Sequence, residues 1–147
     1  MDIRTQSPEE TAKVAREIAQ KVIERGPQAQ ATVIALSGEL GAGKTAFAKG
    51  FAKALGIEEE VTSPTFVIEK VYPVQTDIPF ERLIHIDAYR LEAKDNLETI
   101  GFPDRLKDPK NIILLEWPEQ IPNTLPPEAL TVTFKHVSET EREISHG

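Results

Sequence analysis

The sequence contains no cysteine, has fewer basic than acidic side chains, and lacks any long apolar stretch. Without cysteine the chain cannot form a disulfide, use a thiol as a nucleophile, bind an iron–sulfur cluster or hold zinc through sulfur. No apolar run approaches the roughly 18 residues that a membrane-spanning helix needs. The first ten residues, MDIRTQSPEE, are polar and acidic, unlike a secretory signal. We therefore expect a soluble, cytoplasmic protein with no membrane partner.

Basic side chains are outnumbered, with 17 Lys and Arg against 24 Asp and Glu, which gives a net charge of −7. Nucleic-acid binding depends mainly on cations that contact phosphates, and the sequence shows no cluster of Lys and Arg. If the protein serves a nucleic-acid pathway, we expect a partner to hold the nucleic acid. The same net charge is also typical of ordinary solubility.

The 147 residues, 39% of them apolar, are enough for one domain with its own core, and we expect a single domain over residues 1–147. A cap, a proline and apolar residues at helical spacing predict a helix over Pro8–Arg25. The apolar run 31–37 predicts a buried strand, and a second helix is expected from Lys44 to a stop at Gly56. Further strands are predicted at 66–72, Arg82–Asp87 and Asn111–Glu116, with a short helix at 95–101, irregular chain at 102–109 and a closing hairpin from Leu130–His136 and 142–145.

This alternation of strands and helices predicts an α/β fold, with a mostly parallel sheet between helices and a C-terminal β-hairpin. Residues 38–45, GELGAGKT, match the phosphate-binding pattern G-x-x-x-x-G-K-[ST]. Its glycines turn backbone N–H groups inward, and the following helix directs its positive dipole end at the same place. Lys44 supplies a charge for the β- and γ-phosphates, and Thr45 offers a hydroxyl to Mg²⁺. The residues assigned to the nucleotide here are Glu39, Leu40, Gly41, Ala42, Gly43, Lys44, Thr45 and Ala46.

A P-loop enzyme also needs a carboxylate near Mg²⁺, usually at the carboxyl end of a neighbouring strand. Asp87 follows the run LIHI and Glu116 follows IILL. One of these acids could hold the metal while the other orients the attacking water. Thr65, in the segment SPTF, could close on the metal as a threonine does in GTPases. A turn that leads into a strand explains this segment equally well.

Two residues beside these acids have simpler interpretations. His85 precedes Asp87 by two and so shares a strand face with it, but a packed or exposed strand histidine is the favoured interpretation. Trp117 follows Glu116 and is the only tryptophan. Core packing and a place near the nucleotide are equally supported for it.

Several motifs occur in the order GELGAGKT, VTSPTF, HIDAYRL, a turn centred on Gly101, and LLEWPE. Together they resemble the TsaE (YjeE) family, and the resemblance runs from Ser7 to Arg142. Members are small bacterial P-loop ATPases needed for threonylcarbamoyladenosine at position 37 of tRNAs that read ANN codons. The resemblance implies a mostly parallel sheet between helices and ATP hydrolysis that resets the TsaB–TsaD complex, in which TsaD performs the transfer. With the acidic net charge, we expect tRNA to be contacted only through these partners.

The family's functional positions map onto this sequence one by one. Its P-loop lysine and threonine correspond to Lys44 and Thr45, and the threonine of its SPT motif to Thr65. Its strand aspartate corresponds to Asp87, and its metal-binding glutamate to Glu116. The resemblance thus implies catalytic roles for Lys44, Thr65, Asp87 and Glu116, and Mg²⁺ ligation by Thr45 and Glu116.

The resemblance also implies neighbours of the nucleotide outside the P-loop. Thr11 and Arg142 fall in segments that border adenine in relatives, and Trp117 follows the metal-binding glutamate. The departures are mild, because Glu39 stands where Asp is common, Ala46 where a second Thr is common and Ala88 where Leu is common. None of them removes a group that ATP or Mg²⁺ would need.

Two other functions fit the P-loop less well. A small-molecule kinase would need an acceptor pocket and an arginine-bearing lid, but the arginines of this chain are scattered. A GTP-dependent switch usually carries N-K-x-D and D-x-x-G, and neither string occurs. We therefore expect an ATPase, with the small-molecule kinase as the alternative.

Overall fold

The computed structural model describes residues 2–38, 43–58, 69–88, 101–118, 125–139 and 141–146. Within these residues seven strands form one sheet, in the order β1-β7-β6-β2-β5-β4-β3. The helices are α1 (Pro8–Arg25), α2 (Lys44–Ala54) and α3 (Phe102–Lys107). The strands are β1 (Asp2–Thr5), β2 (Thr32–Gly38), β3 (Glu69–Pro73), β4 (Arg82–Asp87), β5 (Asn111–Glu116), β6 (Leu130–His136) and β7 (Arg142–His146).

The sheet is parallel in its centre and antiparallel at its edges. Strands β6, β2, β5 and β4 are neighbours and run in one direction. The pairs β3/β4, β6/β7 and β1/β7 are antiparallel. The predicted α/β class and the C-terminal hairpin, formed by β6 and β7, are therefore confirmed. The parallel centre places the carboxyl ends of three consecutive neighbours, β2, β5 and β4, at one edge of the sheet.

Helix α1 has the predicted bounds because its two ends carry strong local signals. The Ser7 hydroxyl accepts a hydrogen bond from the Glu10 backbone N–H at 3.2 Å, and the Glu10 carboxylate accepts one from the Gln6 N–H at 3.1 Å. These contacts satisfy donors that a helix start leaves unpaired. The helix ends at Gly26, whose φ of 76° is a conformation that favours glycine.

Two apolar clusters cover the two faces of the sheet. Helices α1 and α2 pack against each other and onto one face, where Phe47 and Phe51 of α2 meet Leu36 and Leu114 of the central strands. On the opposite face α3 contributes Phe102 to the second cluster. The central strands are buried on both sides, as the near-continuous apolar sequence of β2 and β5 predicts. Among the described residues there is no helix that is long and apolar enough to span a membrane.

The structure corrects the prediction at α3. Residues 102–109 were expected to be irregular, but Phe102–Lys107 is helical, and Gly101, with a φ of 77°, caps its start. Six residues are too few for apolar periodicity to be recognised, and packing of Phe102 onto the sheet stabilises this turn. The helix predicted at 95–101 lies outside the described residues except for Gly101 itself.

Strand β1 is a second difference, because no strand was predicted at the N-terminus. Its sequence, DIRT, has one apolar residue, Ile3, and forms no apolar run. The segment is extended because it pairs with β7, with Ile3 opposite Ile144. This pairing joins the two ends of the described chain, and no local pattern in the sequence could indicate it.

Candidate functional site

The candidate site lies where the central parallel strands end. Strand β2 ends at Gly38, β4 at Asp87 and β5 at Glu116. Asp87 is paired in register with Glu116, and Glu116 is also paired with Leu36 of β2. The two predicted acids are therefore on adjacent strands and on the same face of the sheet. They lie beside the strand that leads into the predicted phosphate-binding loop.

Glycine is required at the point where β2 leaves the sheet. Gly38 has a φ of 148°, and a Cβ atom there would be 2.7 Å from the backbone oxygen of Phe134 on β6. A side chain would collide with this neighbouring strand. The next described residue is Gly43, with a φ of 103°, which caps the start of α2. Glu39, Leu40, Gly41 and Ala42 lie outside the described residues, so their assignment to the nucleotide stays a prediction.

Lys44 begins α2 and is the best-defined part of the loop. Only 4% of this residue is exposed, which is uncommon for lysine. Its Nζ donates a hydrogen bond of 2.7 Å to the Gly38 backbone oxygen and lies 3.8 Å from the centroid of the Trp117 ring. Both contacts favour a positive charge, because a carbonyl oxygen and the face of an indole are electron-rich. The two residues after Lys44 on α2 are more accessible, Thr45 being exposed and Ala46 partly buried.

Glu116 is the buried carboxylate of the site. Its Oε2 lies 2.5 Å from Nε2 of His85, and only 5% and 1% of the two side chains are exposed. A buried carboxylate needs a hydrogen-bond donor or a cation, and His85 fills part of that need. Asp87, at the end of the next strand, is partly exposed and also has an interaction within the protein.

Trp117 adopts a backbone conformation that is rare outside glycine. Its φ is 60°, and among the described residues it is the one non-glycine residue with a positive φ. Its backbone N–H donates a hydrogen bond of 3.3 Å to the backbone oxygen of Leu36 on β2. This turn at the end of β5 directs the indole toward Lys44. Such strain persists where surrounding structure over-determines it, often at functional sites. Trp117 packs against the second apolar cluster and also contacts Lys44, and its place near the nucleotide stays a prediction.

Thr11 and Arg142 meet beside Gly43, although they are far apart in sequence. A Cβ atom on Gly43 would be 3.6 Å from Cγ2 of Thr11 and 3.9 Å from Cγ of Arg142. The Thr11 hydroxyl is 2.9 Å from that of Thr5, so its methyl group faces the loop. The Arg142 guanidinium donates to backbone oxygens of the β6–β7 turn, including that of Ser138 at 2.8 Å. The stem of Arg142, not its charged end, therefore borders Gly43.

The described site residues fit a nucleoside triphosphate with Mg²⁺. A buried ammonium group, an accessible hydroxyl at the first turn of a helix and a buried carboxylate surround the end of β2. Ammonium groups suit phosphate oxygens, and hydroxyl and carboxylate oxygens are ligands that Mg²⁺ prefers. Thr65 lies outside the described residues, so its part in the site stays a prediction.

Sequence reasoning underestimated His85. It favoured a packed or exposed strand histidine, and the residue is packed, but its contact is with the candidate metal-binding carboxylate. The signal was present in the spacing, since His85 shares a strand face with Asp87. The missing information was the register of β4 against β5, which places Glu116 opposite Asp87 and hence diagonal to His85.

Comparison with known proteins agrees with the motifs and the fold. The family model described as "Threonylcarbamoyl adenosine biosynthesis protein TsaE" matches residues 5–144. The chain is 40% identical over 142 residues to the "tRNA threonylcarbamoyladenosine biosynthesis protein TsaE" of Bacillus subtilis, covering 97% of this chain and 82% of that protein. It is 35% identical over 116 residues to the protein of that name from Treponema pallidum, covering 79% of this chain and 82% of that protein.

A solved structure confirms the predicted P-loop α/β fold. The crystal structure of Bacillus subtilis YdiB matches with a TM-score of 0.68 and 34% sequence identity. The match covers 98% of this chain and 82% of the other. Nearly the whole chain therefore has the architecture of that protein.

Proposed function

This chain belongs to the TsaE family of tRNA threonylcarbamoyladenosine biosynthesis proteins, and from that premise we propose that it binds ATP with Mg²⁺ and hydrolyses the ATP. The observation that carries the proposal is the placement of Lys44. This buried cation is the lysine of a complete phosphate-binding motif, and it lies at the edge of the sheet where Glu116 ends β5. A buried ammonium group needs neighbours that stabilise its charge, and the oxygens of a bound phosphate group would do so.

Each residue has a distinct task in this proposal. Lys44 places a positive charge against the β- and γ-phosphates. Thr45 and Glu116 supply a hydroxyl and a carboxylate oxygen for Mg²⁺, which when bound would neutralise charge on the phosphates. Asp87 orients the attacking water from the adjacent strand end. We also assign Thr65 a place near the γ-phosphate.

The adenosine end of the nucleotide is assigned to the surface beside Gly43. The Thr11 methyl group and the Arg142 stem form an apolar border there, which suits a purine ring. Trp117, whose ring contacts the Lys44 ammonium group, completes the proposed nucleotide-binding set. The absence of N-K-x-D from the sequence favours adenine over guanine.

The biological role that we propose is support of repeated turnover by the TsaB–TsaD complex, in the cytoplasm. The net charge of −7 does not favour independent binding of tRNA, so tRNA would be held by those partners. Hydrolysis would be slow in the free protein, because the scattered arginines of the sequence do not indicate an arginine finger, and a partner would then have to complete the P-loop site.

Nucleotide binding is tested by calorimetry with ADP, ATP, GDP and GTP in the presence of Mg²⁺. We expect binding of the adenine nucleotides and its loss in Lys44→Ala. Lys49→Ala is the matched control, because Lys49 is exposed on the same helix. A preference for guanine nucleotides, or unchanged binding by Lys44→Ala, would refute the assignment.

The role in turnover is tested by tRNA modification with purified TsaB and TsaD. Multiple turnovers should require the parent protein and should fail with Glu116→Gln, which keeps the size of the side chain but loses its charge. Asp104→Asn, an exposed acid on α3, should behave as the parent. Equal turnover without this protein would contradict the proposed role, and equal turnover with Glu116→Gln would contradict the assigned carboxylate.

A further inference from the structure

The buried histidine beside Glu116 has a contact that the proposed function does not use. His85 is on β4, fully buried on the sheet face that packs against α1 and α2, and its Nε2 is 2.5 Å from Oε2 of Glu116. The other ring nitrogen, Nδ1, is also buried and has no hydrogen-bond partner among the residues that the structure describes. Within these residues the imidazole therefore has one hydrogen-bonding contact, and its partner is the candidate metal-binding carboxylate.

This asymmetry decides which nitrogen carries the hydrogen. A neutral imidazole carries one hydrogen, on Nδ1 or on Nε2. A hydrogen on Nδ1 would be a buried donor with no partner, which is the costlier arrangement. A hydrogen on Nε2 is shared with Glu116 and leaves only an unused lone pair on Nδ1. The geometry thus favours His85 as the donor and Glu116 as the acceptor.

The position of the pair gives this hydrogen bond a consequence for the site. It uses one carboxylate oxygen, Oε2, and so restricts rotation of the Glu116 side chain. Within the described part of the chain, the second oxygen, Oε1, has no such contact and can take another ligand. In metal sites, donors outside the coordination sphere hold ligating side chains in this way.

We propose that His85 is a positioning residue, which holds Glu116 through an Nε2–H hydrogen bond so that Oε1 is presented to Mg²⁺. The proposal rests on the proposed function, in which Glu116 binds the metal. It assigns His85 no contact with the nucleotide. It also gives a role to a histidine that is fully buried on β4, between Leu114 of β5 and Lys70 of β3.

The test compares His85→Leu with His85→Gln. Leucine fills a similar volume without a donor, whereas the glutamine amide can place a donor near the position of Nε2. Leu83→Met is the matched control, since it changes packing two residues away on the same strand face with nearly constant volume. Mn²⁺ replaces Mg²⁺, and its binding to the protein–ADP complex is followed by electron paramagnetic resonance. ADP affinity is also measured without metal.

We expect His85→Leu to weaken Mn²⁺ binding about 10- to 100-fold, the usual effect of losing an outer partner of a metal ligand. Its metal-free ADP affinity should stay close to that of the parent. His85→Gln should recover most of the Mn²⁺ affinity, and Leu83→Met should leave it unchanged. Parent-like Mn²⁺ binding by His85→Leu, or equal losses in the leucine and glutamine variants, would overturn the proposal.

A second measurement does not depend on nucleotide. Nitrogen-15 NMR of the imidazole in the parent protein should show the hydrogen on Nε2, with a shift of this signal in Glu116→Gln. A hydrogen on Nδ1, or no response to Glu116→Gln, would refute the positioning role. If the parent protein bound no ADP, the proposed function would fail, and the NMR result would still decide whether His85 holds Glu116.

Discussion

The close approach of α1 and α2 makes Gly50 a sensitive position. An added Cβ at Gly50 would be 2.6 Å from the backbone oxygen of Ala12, 2.7 Å from its Cα and 2.8 Å from its Cβ. Two of these three atoms belong to the backbone of α1, so no side-chain rotation can relieve the contact. The helices would have to separate by several tenths of an ångström. Because α2 begins at Lys44, this movement would also reach the candidate site.

Two opposing effects set the size of the change in Gly50→Ala. Alanine is the better helix former and favours the variant by about 1 kcal/mol. Overpacking of a tight contact typically costs about 1–3 kcal/mol, and the backbone partners of this contact place it at about 3 kcal/mol. We expect a net loss of about 2 kcal/mol in the free energy of unfolding. For a chain of 147 residues that corresponds to a melting temperature lower by about 4–8 °C.

Urea unfolding followed by circular dichroism measures this loss. Lys49→Ala, at an exposed position on the same helix, is the control and should change stability little. In an Ala12→Gly background the Cβ contact disappears but the backbone contacts remain, so only a minor part of the loss should be recovered. A Gly50→Ala variant as stable as the parent would refute the packing argument, and full recovery with Ala12→Gly would show that the backbone is not the obstacle.

Three further changes test other parts of the structure by the same unfolding assay. Gly26→Ala should cost about 1–3 kcal/mol from backbone strain alone, since its Cβ meets nothing, whereas Gly38→Ala should cost more because its Cβ would also meet a β6 carbonyl oxygen at 2.7 Å. Asp108→Asn should cost less than about 1 kcal/mol, because the 2.6 Å ion pair with Arg82 is about one-third exposed. Burial, with nearby positive charge, lowers the pKa of His146 below 6.5, so this residue opposes folding increasingly as the pH falls through 6.5. Between pH 8 and pH 5.5, the free energy of unfolding should therefore fall less in His146→Gln than in the parent. Equal decreases in the two proteins would contradict this effect.

The sequence by itself determined the elements whose signals are local. The Ser7 cap and the glycine at 26 set the ends of α1, and the apolar runs of β4 and β5 set their bounds at Asp87 and Glu116. The P-loop motif could be recognised in the sequence because phosphate binding requires specific residue types at fixed spacing. From these features the α/β class and the family followed without tertiary information.

Only the tertiary structure decided which distant residues meet. The register of β4 against β5 brings His85 to Glu116, and the packing of α1 and the β6–β7 hairpin around α2 brings Thr11 and Arg142 to Gly43. Strand β1 exists because β7 supplies a partner, not because its own four residues favour extension. These features depend on contacts between segments far apart in sequence. Local periodicity and capping cannot specify them, because such signals extend over only a few residues of the chain.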